Sequence, residues 1–255
     1  MAHKTLIGGT SYGISGGKTL VNGTTYSISV GKTLVGGTAY EIGSGTPIGD
    51  LAVGSSVYLK RAGVSVEFLV VHQGLPCSMY DASCDGTWLL MKDILSLKAW
   101  DGTDNNYAAS DIKTFLDSEY IYYNVNSSIK QVKIPYVNGT GSGGSVASGS
   151  SGLSARLFLL SVYEVGWAIS DIPVDGACLD YFNGCSTTDS KRIGYYNGTA
   201  NDWWLRTPTN MLNLVCYVKA DGGYFMNPPK NVYGVRPAMI LPSSMSIDEN
   251  FNVIP

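Results

Sequence analysis

Apolar and polar positions alternate in short runs along most of this chain, and across the first 45 residues they do so with a strict period. Lys4, Lys18 and Lys32 open three copies of a fourteen-residue unit, KTLIGGTSYGISGG, KTLVNGTTYSISVG and KTLVGGTAYEIGSG. In the second copy, residues 19–21 and 24–28 read as two β-runs around Asn22-Gly23, a pair favoured in two-residue type I′ hairpin turns. Gly8-Gly9 and Gly36-Gly37 hold the same place in the other copies. Leu20, Tyr26 and Ile28 then project as an apolar set opposite Thr and Ser. So short a hairpin cannot bury both faces, so three in series need neighbours to stack against. Residues 1–45 are therefore expected to form either a self-associating fibrous stalk, threefold, or a flexible tether ending in the linker Gly43-Ser44-Gly45.

From residue 46 to 255 the repeat is gone and the pattern predicts one large domain. Residues 56–59 and 64–71 read as strands joined by a hairpin loop at 60–63, and 88–91 as a short buried run. Ser110 followed by Ile112, Phe115 and Leu116 predicts an N-capped helix, and a second helix is expected over 127–132. Residues 139–152 are nearly pure Gly, Ser and Thr, which predicts a mobile surface loop. The apolar run 153–167 needs partners from the earlier half to complete a sheet. Near the C-terminus, WWLRTP (203–208) and YGVRPAMIL (233–241) look like core, but residues 209–231 between them keep no period for long. Only 215–218 followed by Asp221-Gly222-Gly223 resembles a strand running into a turn.

Composition narrows the function. Charged residues are 15%, against roughly 25% for an average domain, and the net charge is −3 with 17 Lys and Arg spread thinly. No basic stripe exists for nucleic acid, so no nucleic-acid partner is expected. No run of about 18 apolar residues predicts membrane insertion, and Met1-Ala2-His3-Lys4 leads into no apolar leader core. The five cysteines have no CxxC spacing and no histidine cluster beside them, so zinc is not expected. Buried free thiols are preferred over local disulfides within Cys77/Cys84 and Cys178/Cys185, with Cys216 left over. Asp175, Asp180 and Asp189 lack calcium-loop spacing. His72 reads as a structural histidine after an apolar strand, His3 lies in the repeat segment, and no hydrolase or nucleotide-binding motif is present. The Asn-Gly-Thr triplets at Asn22, Asn138 and Asn197 read as turns rather than glycosylation sites. The expectation is therefore no enzyme, no cofactor and no metal.

WWLRTP, a heterogeneous stretch, then GVRPAMIL resembles the C-terminal half of the C-type-lectin-fold variable proteins of diversity-generating retroelements. FLVVHQGLPCSMYDASCDGTWLLMKD and LSARLFLLSVYEVGW resemble the constant parts of such phage and gut-bacterial proteins, and the repeats look like phage tail-fibre sequence. The resemblance implies an α+β C-type lectin fold, of the formylglycine-generating-enzyme-like subtype, preceded by β-hairpin repeats. A catalytic member would need a reactive cysteine pair near the C-terminus, where Cys216 stands alone. It further implies a hypervariable ligand-binding surface at Asn210, Met211, Leu212, Asn213, Tyr217, Lys219, Asp221, Tyr224, Phe225, Met226, Asn227, Lys230, Asn231 and Tyr233. Met211, Leu212, Tyr217, Tyr224 and Phe225 are expected as one exposed patch, since tyrosine supplies rigid contact area and asparagine adapts. Trp203, Trp204, Arg206 and Arg236 would be scaffold anchors, with Arg206 bonded to the variable segment. The implied partner is a host or cell-surface protein or glycan. The implied setting is a homo-oligomeric, trimeric fibre of a virion or a bacterial surface; a structural fibre cap or a polysaccharide-active enzyme is the alternative.

Overall fold

The computed structural model describes the chain except residues 1–3, 8–9, 14–17, 22–23, 28–30, 36–37, 43–44, 141–143, 171 and 210–212, with side chains described from Gly45 onward. The chain divides into two compact units, Met1–Thr46 and Pro47–Pro255.

The first unit holds three antiparallel hairpins: Lys4–Ile7 with Thr10–Gly13, Lys18–Val21 with Thr24–Ser27, and Gly31–Val35 with Thr38–Ile42. Ile7 pairs with Thr10, Val21 with Thr24 and Val35 with Thr38, which leaves two residues to close each hairpin. Those closing pairs, Gly8-Gly9, Asn22-Gly23 and Gly36-Gly37, lie outside the described residues, as do Ile28 and the Gly43-Ser44 part of the expected linker.

The second unit is built on two five-stranded sheets. Sheet I contains β1 (Ser56–Arg61), β2 (Val64–Gln73), β3 (Thr87–Met91), β5 (Leu157–Phe158) and β10 (Ala238–Leu241), in the order β5-β10-β3-β2-β1, all antiparallel. Sheet II contains β4 (Ser96–Ala99), β6 (Trp203–Pro208), β7 (Val215–Val218), β8 (Tyr224–Asn227) and β9 (Val232–Val235), in the order β4-β9-β6-β7-β8. Only the β6–β9 pair is parallel. The β1–β2 turn is made by Ala62 and Gly63 at φ 47° and 83°, the left-handed pair that a two-residue hairpin requires.

Chain order explains how the sheets are joined. β3 of sheet I runs through residues 92–95 into β4 of sheet II, and β9 of sheet II runs through Arg236-Pro237 into β10 of sheet I. At this crossing Met91 donates its N–H to the Pro237 carbonyl at 2.9 Å, and Arg236 Nε donates to the Met91 carbonyl at 2.8 Å. Trp88, Trp100, Trp203, Trp204, Phe68, Phe158 and Phe182 are fully buried around these strands. Each buried side chain of this size contributes a few kcal/mol through the apolar area withdrawn from water.

The α+β lectin-type fold expected from the motifs is overturned. The chain is mainly β, with 36% strand against 15% helix, small sheets, and a single α-helix, α1 (Asp111–Glu119), among the described residues. The helix is where its cap predicts: Ser110 Oγ accepts from Lys113 N at 3.2 Å and donates to the Tyr107 carbonyl at 2.9 Å. The second expected helix is absent: one tight turn brings Ser128 N and Ile129 N to the Val125 carbonyl, and the chain then extends as the strand Val132–Ile134. The WWLRTP and GVRPAMIL motifs are strands β6 and β9–β10, and a double-sided apolar strand suits any buried sheet equally well.

The Gly/Ser/Thr segment is not one loop either. Tyr136–Asn138 pairs with Ser145–Ala147 in a short hairpin, and Gly149–Ser151 is a 3-10 turn tied by Gly149 N to the Met79 carbonyl at 2.8 Å. Leu153–Ala155 pairs with Val132–Ile134 as a run needing early partners should, but β5 pairs with the C-terminal β10 instead. No helix among the described residues is long and apolar enough to cross a membrane.

Candidate ligand-binding face

Sheet II fixes one cross-strand row. Tyr217 of β7 lies opposite Trp204 of β6 on one side and Phe225 of β8 on the other, so their side chains share a face. Tyr233 reaches the same place from β9, on the far side of β6. The two tyrosines lean over the fully buried Trp204 and stack with centroids 4.5 Å apart and planes at 28°. Tyr233 is 4.7 Å and Tyr217 5.9 Å from the Trp204 ring. Pairs of this kind add roughly 0.5–1.5 kcal/mol each beyond their buried area. Phe225 closes the row at 6.4 Å from Tyr217 and is 58% exposed.

Asparagine amides tie the row together. Asn227 Nδ2 donates to the Tyr233 hydroxyl at 2.5 Å and to the Tyr217 hydroxyl at 3.2 Å, and Asn231 Nδ2 donates to the Tyr233 hydroxyl at 3.3 Å. Burial, and then the neighbouring Tyr233 phenol, push the Tyr217 hydroxyl above its ordinary pKa, so it stays protonated. Loops border this face at one end. Asn213 Nδ2 donates to the Thr103 carbonyl at 2.8 Å, Asn105 Nδ2 to the Leu214 carbonyl at 3.0 Å, and Trp100 N to the Pro229 carbonyl at 2.8 Å.

The fourteen expected site residues do not all converge. Tyr217, Phe225, Asn227, Asn231 and Tyr233 meet on this face, Lys230 is exposed on the adjoining loop, and Asn213 is held against the loop at Thr103. Tyr224 and Met226 alternate to the opposite face, where Tyr224 packs on Trp167 at 5.2 Å. Lys219 and Asp221 sit at the tip of the β7–β8 hairpin, paired at 2.7 Å in the open. Gly222 at φ 80° makes that turn, and a Cβ there would come within 2.2 Å of the Asp189 carbonyl oxygen. Asn210, Met211 and Leu212 lie outside the described residues. The single exposed patch expected at Met211, Leu212, Tyr217, Tyr224 and Phe225 is therefore corrected: Tyr217 is only 5% exposed and Tyr224 faces the other way. Strand alternation is the reason.

The anchor residues are all buried, but Arg206 does not brace the 209–231 segment. Its guanidinium bonds to Glu164 at 2.6 and 2.7 Å and to the carbonyls of Pro135, Leu159 and Asp175 at 2.7–3.0 Å. Glu164 also accepts from the Tyr80 hydroxyl at 2.8 Å and from Ser161 N at 2.8 Å, and Asp175 accepts from Thr207 Oγ1 at 2.9 Å. Burial pushes Asp175 up to about 7, with Arg206 opposing and Glu164 adding to the shift. Burial works against the Arg206 charge, but Glu164, Asp175 and Tyr80 together outweigh it and raise its pKa. Arg236 is also fully buried, 5.0 Å over the Trp203 ring, and with no ion pair among the described residues burial lowers it to about 10. This charge cluster escaped the sequence; its one signal is Glu164, a lone carboxylate inside the apolar run 157–167.

Other candidate chemistry is sparse. His72 is 8% exposed, with Nδ1 at 2.9 Å from Asp180 Oδ2 and its ring edge-on to Trp88. All five cysteines are unpaired; Cys84 and Cys216 are buried, and burial pushes the Cys84 thiol up to about 12. Among the described residues no three His, Cys, Asp or Glu side chains gather as a metal site. An open groove of about 350 Å³ beside β1, lined by Tyr58, Lys60, Asn124, Asp248 and Asn252 among others, offers a single carboxylate side chain, already bonded to Asn252. Asn197 and Gly198, at φ 51° and 79°, form the turn of the Gly194–Tyr196/Thr199–Asn201 hairpin.

Fold and face together define a mainly β domain with a stacked aromatic ledge on one sheet and a buried ion cluster at Arg206. The chain belongs to the DUF6273 family, a domain of unknown function, whose model matches residues 85–243 and so spans all of sheet II and the strands β3, β5 and β10 of sheet I. No curated protein and no solved structure matches it.

Proposed function

We propose that the chain is a non-catalytic receptor-binding protein, with the sheet II ledge as its contact surface for a host or cell-surface protein or glycan. The observation that carries this reading is Phe225, 58% exposed at the end of a stack whose other rings are held by Trp204 and Asn227. An exposed aromatic on a rigid base supplies contact area at little ordering cost. The repeats would serve as a trimeric stalk, which places the molecule on a fibre, of a phage tail or a bacterial surface. Phe225 carries none of the core, and Asn227 and Asn231 touch it only through the tyrosine hydroxyls, so the surface can vary while Trp203, Trp204, Arg206 and Arg236 keep the fold, as a diversified binding protein requires.

The test is a library of the full chain randomised at Phe225, Asn227 and Asn231 and panned on a panel of bacterial cells. The reading expects folded members that change which cells they bind, with changes at Phe225 keeping the parent's melting temperature and changes at Asn227 lowering it. A library whose members all bind the same cells as the parent, or none that binds any, overturns it.

A further inference from the structure

The ledge combines two kinds of surface that one class of ligand also combines. Phe225 presents exposed ring hydrocarbon. Beside it the tyrosine–asparagine network has groups to spare. Asn227 Nδ2 is spent on two hydroxyls, while the amide carbonyl oxygens of Asn227 and Asn231 have no partner among the described residues. Even with a bond between the two phenols, one phenolic proton remains to donate. Tyr233, Asn227 and Asn231 are half-buried, so these groups are fixed in place yet reachable.

Of the charges nearby, Lys98 lies 4.4 Å over the Phe115 ring, Lys219 pairs with Asp221 and Asp202 accepts from Ala220 N, while Lys230 stands exposed. We infer that the ledge binds a neutral saccharide, an inference that rests on the binding-face reading of the same residues. A pyranose has an apolar C–H face that packs on an aromatic ring, and adjacent hydroxyls that need a donor and acceptors a few ångströms away. Phe225 supplies the first and the Asn227–Tyr233–Asn231 cluster the second. A site built to bond hydroxyls discriminates strongly, since a ligand lacking them leaves its half-buried amides unpaired. Exposed Lys230 on the adjoining loop makes acidic sugars the alternative to be separated.

The experiment uses the full chain on a printed array of neutral hexose and N-acetylhexosamine oligosaccharides, with sialylated and uronic-acid oligosaccharides beside them. In parallel, the labelled chain is applied to bacterial cells treated with periodate or with protease. The expected result is binding to neutral oligosaccharides, weakened about tenfold or more by Phe225→Ala and by Asn227→Ala, a tenfold loss being roughly 1.4 kcal/mol. Cell binding should be lost after periodate and kept after protease. Array binding confined to acidic sugars, or unchanged in both variants, overturns the inference. Phe225-dependent cell binding that is lost with protease and kept after periodate overturns the saccharide while leaving the binding face standing. No binding on the array or on cells overturns both.

Discussion

Asp175, Glu164 and Arg206 are all fully buried, and two carboxylates beside one guanidinium cancel only if one of the carboxyls keeps its proton. Burial pushes Asp175 from 3.8 up to about 7, so it holds its proton well above the usual carboxylate range. Between those pH values the folded chain holds a proton that the unfolded chain has released, so the group's contribution to stability falls as pH rises across that window. The full shift corresponds to at most about 4 kcal/mol. Asp175→Asn keeps the shape and removes the titration. Urea melts at pH 4, 5.5 and 7 should show wild type losing ground to the variant as pH rises; parallel curves would refute the assignment. Little of this was legible in the chain beyond Glu164 in its apolar run, because Tyr80 and Arg206 reach Glu164 and Asp175 from distant segments.

At the scale of elements, a single cross-strand row of sheet II runs from buried Trp204 and Tyr217 out to exposed Phe225 at its edge. Trp204→Ala should cost roughly 3–5 kcal/mol, as large buried aromatics do, and Phe225→Ala no more than about 0.5 kcal/mol, as exposed changes do. Thermal melts check both, and equal losses at the two positions would sink the division between base and surface. The elements legible in the sequence were those set by local chemistry: the Ser110 cap, the β1–β2 hairpin, strand β7 with the turn after it, and the turn at Asn197-Gly198. Residues 209–231 showed no period because β7 is buried on both faces, with Val215, Cys216, Tyr217 and Val218 all covered. The lectin-type expectation failed for a related reason. Its motifs mark buried strands, and which strands lie beside which is decided by partners such as β5 with β10, 80 or so residues apart. The second helix failed because Val125 and Ile129 find burial in a single turn.

At the scale of the whole molecule, the boundary near residue 46 predicts independence. A chain of residues 47–255 should melt within a few degrees of the same domain in the full protein and sediment as a monomer. Insolubility or a tight oligomer would put the assembly contacts in the large domain instead of the repeats. The central claim is that one face of that domain, and not another exposed apolar site, touches the ligand. Val64, at 68% exposure on the β1–β2 hairpin of sheet I, is the matched control for Phe225. Both side chains tolerate a charge without burying it, so binding of Phe225→Glu and Val64→Glu full-length chains to the cells recognised by wild type is the direct comparison. Loss of binding with Phe225→Glu and retention with Val64→Glu is the predicted result; equal binding by the two, or loss only with Val64→Glu, contradicts it.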